Sequence, residues 1–310
     1  MHNIKSIFFI FYFLWLFLYN VEGLRQLWSR KPSILLGNEF LEQSAEAPAD
    51  QTSPYYSSSL HPPPVVLLFS GGGLYFYWHV GVLTYLREQN YDLKEASFGG
   101  ASAGSLAATI AATNVDCSEA TALALEMAEH AGVWKRGSLQ GVWGCLIYDW
   151  LDQIIPRNAL DYVTNDRLAL LVTPLPLIWK KEKVTTFRDR EDLIQCNMAS
   201  VHLPFFLNGK FSTTFRSKRY IDGSVFAKKH HFFGKDKTER KDFTLSYHNN
   251  SNNIIAVDWK RDPIMRKKSW GEFVELLSKD GIWDMVEQGK LYAKIMEERG
   301  EFASLTRISK

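Results

Sequence analysis

The feature that most restricts how this chain can fold is the pentapeptide Gly100-Ala101-Ser102-Ala103-Gly104. Ala96-Ser97-Phe98 ahead of it can close a strand, and the small-residue run Ser105 to Ala112 behind it can form a helix packed tightly on a sheet. Gly-x-Ser-x-Gly between a strand and a helix is the spacing of a nucleophile elbow, an abrupt turn that leaves one serine at its apex in a strained conformation. Glycine flanks that serine because the backbone passes too close to its surroundings for a Cβ. The turn exposes the hydroxyl, and the following helix directs its positive end toward an oxyanion formed there. Alone, five residues are a weak signal, so the meaning of this stretch depends on what accompanies it.

Val65-Val66-Leu67-Leu68-Phe69 is a continuous apolar run bounded by proline and glycine, as expected of a strand buried on both faces of a parallel sheet. Ser70-Gly71-Gly72-Gly73 follows, and then Phe76, Val80, Leu83 and Leu86 recur at helical spacing. A strand, a glycine run and a helix aim backbone N–H groups at an anion. A nucleotide phosphate would call for Gly-Lys-Ser/Thr or a third glycine in dinucleotide spacing, and neither is present. Two readings remain at this point: an oxyanion of acyl transfer, or a tight strand-to-helix turn with no chemistry.

Composition narrows the classes. With a net charge of only +2 over 310 residues, nothing global favours nucleic acid. Cys117, Cys145 and Cys196 show neither zinc nor disulfide spacing and read as three buried small hydrophobes. Lys5, the apolar run Ile7 to Tyr19 and the small residues around Glu22 make 1–23 a signal peptide or a membrane anchor. The basic stretch Leu24 to Lys31 also suits a transit peptide. Residues 24–64, ending in Pro62-Pro63-Pro64, read as a disordered linker rich in Pro and Ser, so the domain is set at 65–310. The expected location is a membrane on the secretory route, the endoplasmic reticulum or a derived compartment, with a plastid or lipid droplet as alternatives.

Downstream, Asp116 and Glu119 have capping-box spacing for a helix reaching about His130. Trp134 to Tyr162, with Trp143 and Trp150, reads as packed helix, or as a cover over the site or a lipid-facing wall. Leu168 to Thr173 and Val184 to Phe187 read as strands, Leu193 to Ala199 as a short helix, and Asn253 to Val257 as a further strand. Tyr220-Ile221-Asp222-Gly223 sets a carboxylate at a strand end, where open parallel sheets keep their chemistry, although Asp-Gly is also an ordinary turn. Lys228 to Asn252 reads as an exposed charged loop. Trp259, Lys260, Arg261, Arg266, Lys267, Lys268 and Trp270 form a basic, aromatic stretch suited to an anionic membrane or to a solvated loop. Trp283 to Glu298 carries Val286, Leu291, Tyr292, Ile295 and Met296 at roughly one face, predicting a helix packed on the sheet.

In this order the parts resemble the patatin-like phospholipase family, and within it the branch containing adipose triglyceride lipase. Phe69 to Gly73 with Tyr77-Trp78-His79-Val80-Gly81-Val82 is similar to the opening block, and Gly100 to Gly104 to the elbow. Ala199-Ser200 with Pro204 resembles a block ahead of the aspartate, and Tyr220 to Gly223 the aspartate motif. A fainter likeness lies in Met285 to Gly289. The resemblance implies a three-layer α/β/α sandwich with a mostly parallel sheet, and a Ser–Asp dyad of Ser102 as nucleophile and Asp222 as general base. It implies an oxyanion hole from the amides of Gly71, Gly72, Gly73 and Ala103, an elbow held by Gly100 and Gly104, and Gly223 in support. The activity implied is hydrolysis of acyl esters of acylglycerols or phospholipids at a membrane or lipid-droplet surface, with neither metal nor cofactor. A serine hydroxyl needs a positioned base, and a carboxylate in a dry site becomes a better one. The family's Asn-x-Pro-like continuation is replaced here by Lys228-Lys229-His230.

Two rivals stand beside this reading. One is an α/β-hydrolase triad in which His230, His231 or His248, all following Asp222, completes the order Ser, Asp, His. The other is a lipid-binding protein on the same fold with a decayed site.

Overall fold

The computed structural model describes residues 65–228, 230–233, 253–268 and 271–308. The expected N-terminal segment and linker, 1–64, lie outside the described residues, as do most of the charged loop with His248, and Trp270. Seven described strands form one sheet: β1 (Val66–Phe69), β2 (Ser97–Ala101), β3 (Leu168–Pro174), β4 (Glu182–Val184), β5 (Thr213–Phe215), β6 (Lys218–Ile221) and β7 (Ile254–Val257). The helices are α1 (Phe76–Glu88), α2 (Ala103–Ala112), α3 (Cys117–His130), α4 (Val133–Arg136), α5 (Trp143–Ile154), α6 (Ala159–Tyr162), α7 (Arg190–Ser200), α8 (His230–Phe233) and α9 (Lys279–Glu298).

The strand order is β5-β6-β3-β2-β1-β7, with β4 also on β3. β7, β1, β2 and β3 run parallel, while β4, β5 and β6 are antiparallel additions at one side. β3 shares one edge between two partners, pairing Leu170–Val172 with β4 and then Thr173 and Pro174 with β6. The strand carrying Asp222 is therefore antiparallel, a correction to the parallel edge expected from sequence. Register still brings the two key positions together. Ala101 lies opposite Leu171 and Ile221 opposite Thr173, so Ser102 and Asp222, next in each chain, leave the sheet at the level of Val172.

Alternate strand residues face opposite sides. Leu67, Phe69, Phe98, Leu170, Val172, Ile255 and Val257 join the large core beneath the helical layer. On the other face, Phe232 of α8 lies over Gly99, where a Cβ would come within 3.0 Å of its ring. Helices thus cover both faces, very unequally among the described residues.

The helical layer is built outward from α2, whose ten residues are all buried. Its Ala, Gly, Ser and Thr side chains are small enough for that close approach. α1 was expected to be amphipathic but is buried nearly all round, because α9 covers its outer side. Gly81 and Gly289 meet there. A Cβ on Gly81 would overlap Val286 O, and one on Gly289 would overlap Trp78 O.

α9 packs on α1 and not on the sheet, and it buries Ile282, Met285, Val286, Tyr292 and Met296. Leu291 and Ile295, expected on the same stripe, are exposed because they fall outside it. Asp116, Asp189 and Ser278 cap α3, α7 and α9, each accepting from the amide three residues on. β4 overlaps the predicted strand 184–187 only at Val184, which pairs with Leu170, and at its Glu182 end β6 takes over the same edge of β3 from Thr173 onward. Cys117 and Cys196 are buried as expected, but Cys145 is exposed on the outer side of α5.

Candidate active site

Ser102 adopts φ 56°, ψ −129° immediately before α2, the strained apex that the motif predicts. A Cβ on Gly100 would overlap Gly104 O, and one on Gly104 would overlap Phe69 O. Both glycines are therefore demanded by backbone approaching backbone, which cannot yield as a flexible side chain would. The apex is held by Ser200, whose Oγ accepts from Ser102 N (3.0 Å) and donates to Leu171 O (2.8 Å).

Asp222 follows β6 and is 3% exposed; Ser102 is 7% exposed. Ser102 Oγ donates to Asp222 Oδ2 at 2.6 Å. The other carboxylate oxygen accepts from Ser224 N (2.8 Å) and Ser224 Oγ (2.6 Å). Gly223 passes so close to β3 that a Cβ would overlap Leu171 O, and its amide donates to Ser200 O at 2.8 Å. Thr173 Oγ1 donates to the Asp222 carbonyl (2.8 Å) and accepts from Lys181 Nζ (2.8 Å).

Burial pushes the Asp222 carboxyl above the ordinary carboxylate range; the bonds from Ser102 and Ser224 and the Lys181 charge pull the other way without cancelling it. Lys181 is itself drawn down to about 8 by desolvation, against the attraction of Asp222. The result is a stronger base than a solvated aspartate, bonded directly to a serine hydroxyl.

The glycine run curls against three neighbours. A Cβ on Gly71 would lie 2.6 Å from Ser224 Cβ, and one on Gly72 2.7 Å from Trp259 Nε1. Gly73, at φ 53°, would overlap Phe273 O. Trp259 Nε1 donates to Gly71 O (2.7 Å), and His79 Nε2 donates to Ser70 O (2.8 Å). The Ser70 carbonyl can only accept, so His79 carries its proton on Nε2. Among the described residues, nothing accepts from the amides of Gly71, Gly72, Gly73 or Ala103. Helix α2 begins at Ala103, so its N-terminus lies directly behind Ser102.

A cavity of about 80 Å³ is lined by Gly73 and Leu106 together with Phe76, Leu125, Trp134, Trp143 and Trp150. The tryptophans of 134–150 are thus partly helix packing and partly the lining of an apolar space beside the glycine run. Of the three histidines, His248 lies outside the described residues, and His231 Nδ1 accepts from Lys228 N at 2.8 Å. The described hydrogen bonds to the Asp222 carboxylate come from Ser102 and Ser224. Thr173 and Lys181 were not foreseen, Ser224 was read only as small, and Ser200 only as part of a block. Thr173 and Ser200 bond backbone oxygens distant in sequence, which leave no pattern to read, whereas Ser224 bonds Asp222 only two residues away.

A family model for patatin-like phospholipase matches residues 67–228. Patatin-like phospholipase domain-containing protein 2 of Bos taurus is 29% identical over 157 residues, 48% of this chain and 31% of that protein. Its Homo sapiens counterpart is 28% identical over 152 residues, 48% of this chain and 30% of that protein. The chain therefore covers under a third of the length of these curated relatives. The crystal structure of VipD from Legionella pneumophila aligns with a TM-score of 0.39 at 12% identity, covering 77% of this chain and 67% of that one.

Proposed function

The chain belongs to the patatin-like phospholipase family, and from that premise we propose that it is a serine lipid acyl hydrolase working through a Ser102–Asp222 dyad. The observation that carries the proposal is the 2.6 Å bond from Ser102 Oγ to a buried carboxylate. Ser102 Oγ attacks the ester carbonyl carbon as its proton passes to Asp222 Oδ2. The carbonyl oxygen becomes an oxyanion, stabilised by amides of the glycine run and of Ala103. The intermediate collapses, the alcohol leaves with the proton from Asp222, and an acyl-Ser102 ester remains. Water then gives a proton to Asp222 and attacks the acyl carbon. The proton returns to Ser102 Oγ as the fatty acid departs.

The ester is that of an acylglycerol or phospholipid. Support for an acyl chain comes from the apolar cavity that Gly73, the last glycine of the run, helps to line. The test compares the full chain with Ser102→Ala, Asp222→Asn and a combined His230→Ala, His231→Ala, His248→Ala variant, on triacylglycerol, phospholipid and a short-chain ester. The first two should lose a thousandfold or more, on the order of one removed nucleophile or general base, while circular dichroism stays unchanged. The histidine variant should retain activity. Full activity in Asp222→Asn, or its loss in the histidine variant, would overturn the dyad.

A further inference from the structure

Two large apolar side chains are exposed on segments that touch the glycine run. Phe226 is 52% exposed with φ 55°, and Ile264 is 57% exposed. A bulky residue at positive φ is strained, and exposing its ring adds a second cost. Single exposed hydrophobes are ordinary, but the connections of these two are not. Phe226 lies two residues beyond Ser224, the neighbour that excludes a Cβ from Gly71. Ile264 lies on the turn that begins at Trp259, the donor to Gly71 O.

That turn is rigidly built. Asp262, 1% exposed, accepts from Trp78 Nε1 (2.9 Å), Gln288 Nε2 (2.9 Å) and Ile264 N (2.8 Å), so the chain is anchored one side chain away from the exposed isoleucine. Lys260, Arg266 and Lys267 surround it in sequence, all exposed and, among the described residues, without an ion-pair partner. Their neighbours Arg261 and Lys268 are instead paired with Glu301 and Glu272. Three unneutralised cations beside an apolar tip, on a chain of net charge +2, are a local concentration.

We propose that Phe226 and Ile264, with Lys260, Arg266 and Lys267, form a rim that docks the site on an anionic lipid bilayer, the two apolar tips entering the interface and the three cations meeting its headgroups. The proposal rests on the lipid hydrolase reading for its purpose, but its geometry is independent of catalysis. An apolar tip bounded by basic groups is the composition an anionic bilayer surface retains. A docked rim would present the glycine run, held to it through Ser224 and Trp259, to the lipid.

The experiment uses the full chain carrying Ser102→Ala and Cys145→Ser, with Ile264→Cys labelled by an environment-sensitive fluorophore. A second protein carries the label at Lys94→Cys, an exposed position at the opposite end of β2 from Ser102. Vesicles are phosphatidylcholine alone, or phosphatidylcholine with phosphatidylserine at 7:3. The fluorophore reports its own position, so attachment through another part of the chain does not imitate the signal. The label at 264 should brighten and shift to the blue with the anionic vesicles, and the label at 94 should not.

Each basic residue strengthens such attachment about fivefold. Lys260→Gln, Arg266→Gln and Lys267→Gln together should therefore raise the lipid needed for half the signal roughly a hundredfold. A silent label at 264, or a signal equal on neutral vesicles and indifferent to the triple change, would overturn the proposal. Hydrolysis of a soluble short-chain ester by the triple variant with Ser102 intact should match the parent. That assay tests the catalytic reading separately, so failure of either is recognisable.

Discussion

Acid should weaken this fold through one buried histidine. His79 is fully buried on α1, edge-on to Phe69 and Trp78, and its Nδ1 has no partner among the described residues. Desolvation lowers its pKa from 6.5 to about 4, against the Ser70 hydrogen bond and the charge of Asp258. Between those two values the unfolded chain binds a proton that the native protein refuses, so stability is full above about 6.5 and is lost as pH falls toward 4. The gap corresponds to about 3 kcal/mol in total, of which about 2 kcal/mol is lost between pH 7 and pH 5. His79→Gln keeps a donor for Ser70 O and removes the titration.

The assay is urea unfolding of both proteins at pH 7 and pH 5. Carboxylates titrate in both and cancel in the difference. Wild type should lose about 2 kcal/mol more than His79→Gln over that interval. Equal losses would show that His79 is not held neutral by burial, and the reasoning would fail.

In the proposed dyad Asp222 has to be ionised to take the Ser102 proton, so kcat/KM should fall as pH drops through its raised pKa, at an acidic limb above the ordinary carboxylate value of about 4. The charge of Lys181 favours the ionised form, so Lys181→Met should move that limb higher and Lys181→Arg should restore it; a limb unmoved in the methionine variant would remove Lys181 from the site's electrostatics. At the α1–α9 crossing, Gly81→Ala should cost about 1–3 kcal/mol through overpacking, seen calorimetrically as a Tm lower by roughly 3–10 °C. An unchanged Tm would mean that the helices separate freely there.

Much of the site was legible because its grammar is local. The Gly100-x-Ser102-x-Gly104 turn, the glycine run after β1 and the Asp116 cap can each be read from a few consecutive residues, although the atoms that exclude a Cβ from Gly104 and from the glycine run belong to Phe69, Ser224, Trp259 and Phe273. Apolar period likewise announced β1, β3, β7 and the existence of α9. Orientation was a different matter. The antiparallel direction of β6 shows itself only in its pairing with Thr173 and Pro174 of β3, which no residue of Tyr220 to Gly223 encodes. The histidines after Asp222 kept a triad open in the sequence. In the fold, the described bonds to that carboxylate come from two serines.

What the sequence determined by itself was therefore where a serine must be strained, where a carboxylate ends a strand, and in what order they come. Only the tertiary structure decided that Ser102 and Asp222, 120 residues apart, meet at 2.6 Å. It also decided that Ser200, Ser224, Thr173 and Lys181 hold them there, that Cys145 faces outward, and that Leu291 and Ile295 stay exposed. The physical reason is range. Turn and helix preferences act over a few residues, whereas register, burial and the raised pKa of Asp222 exist only once distant segments have excluded water from one another.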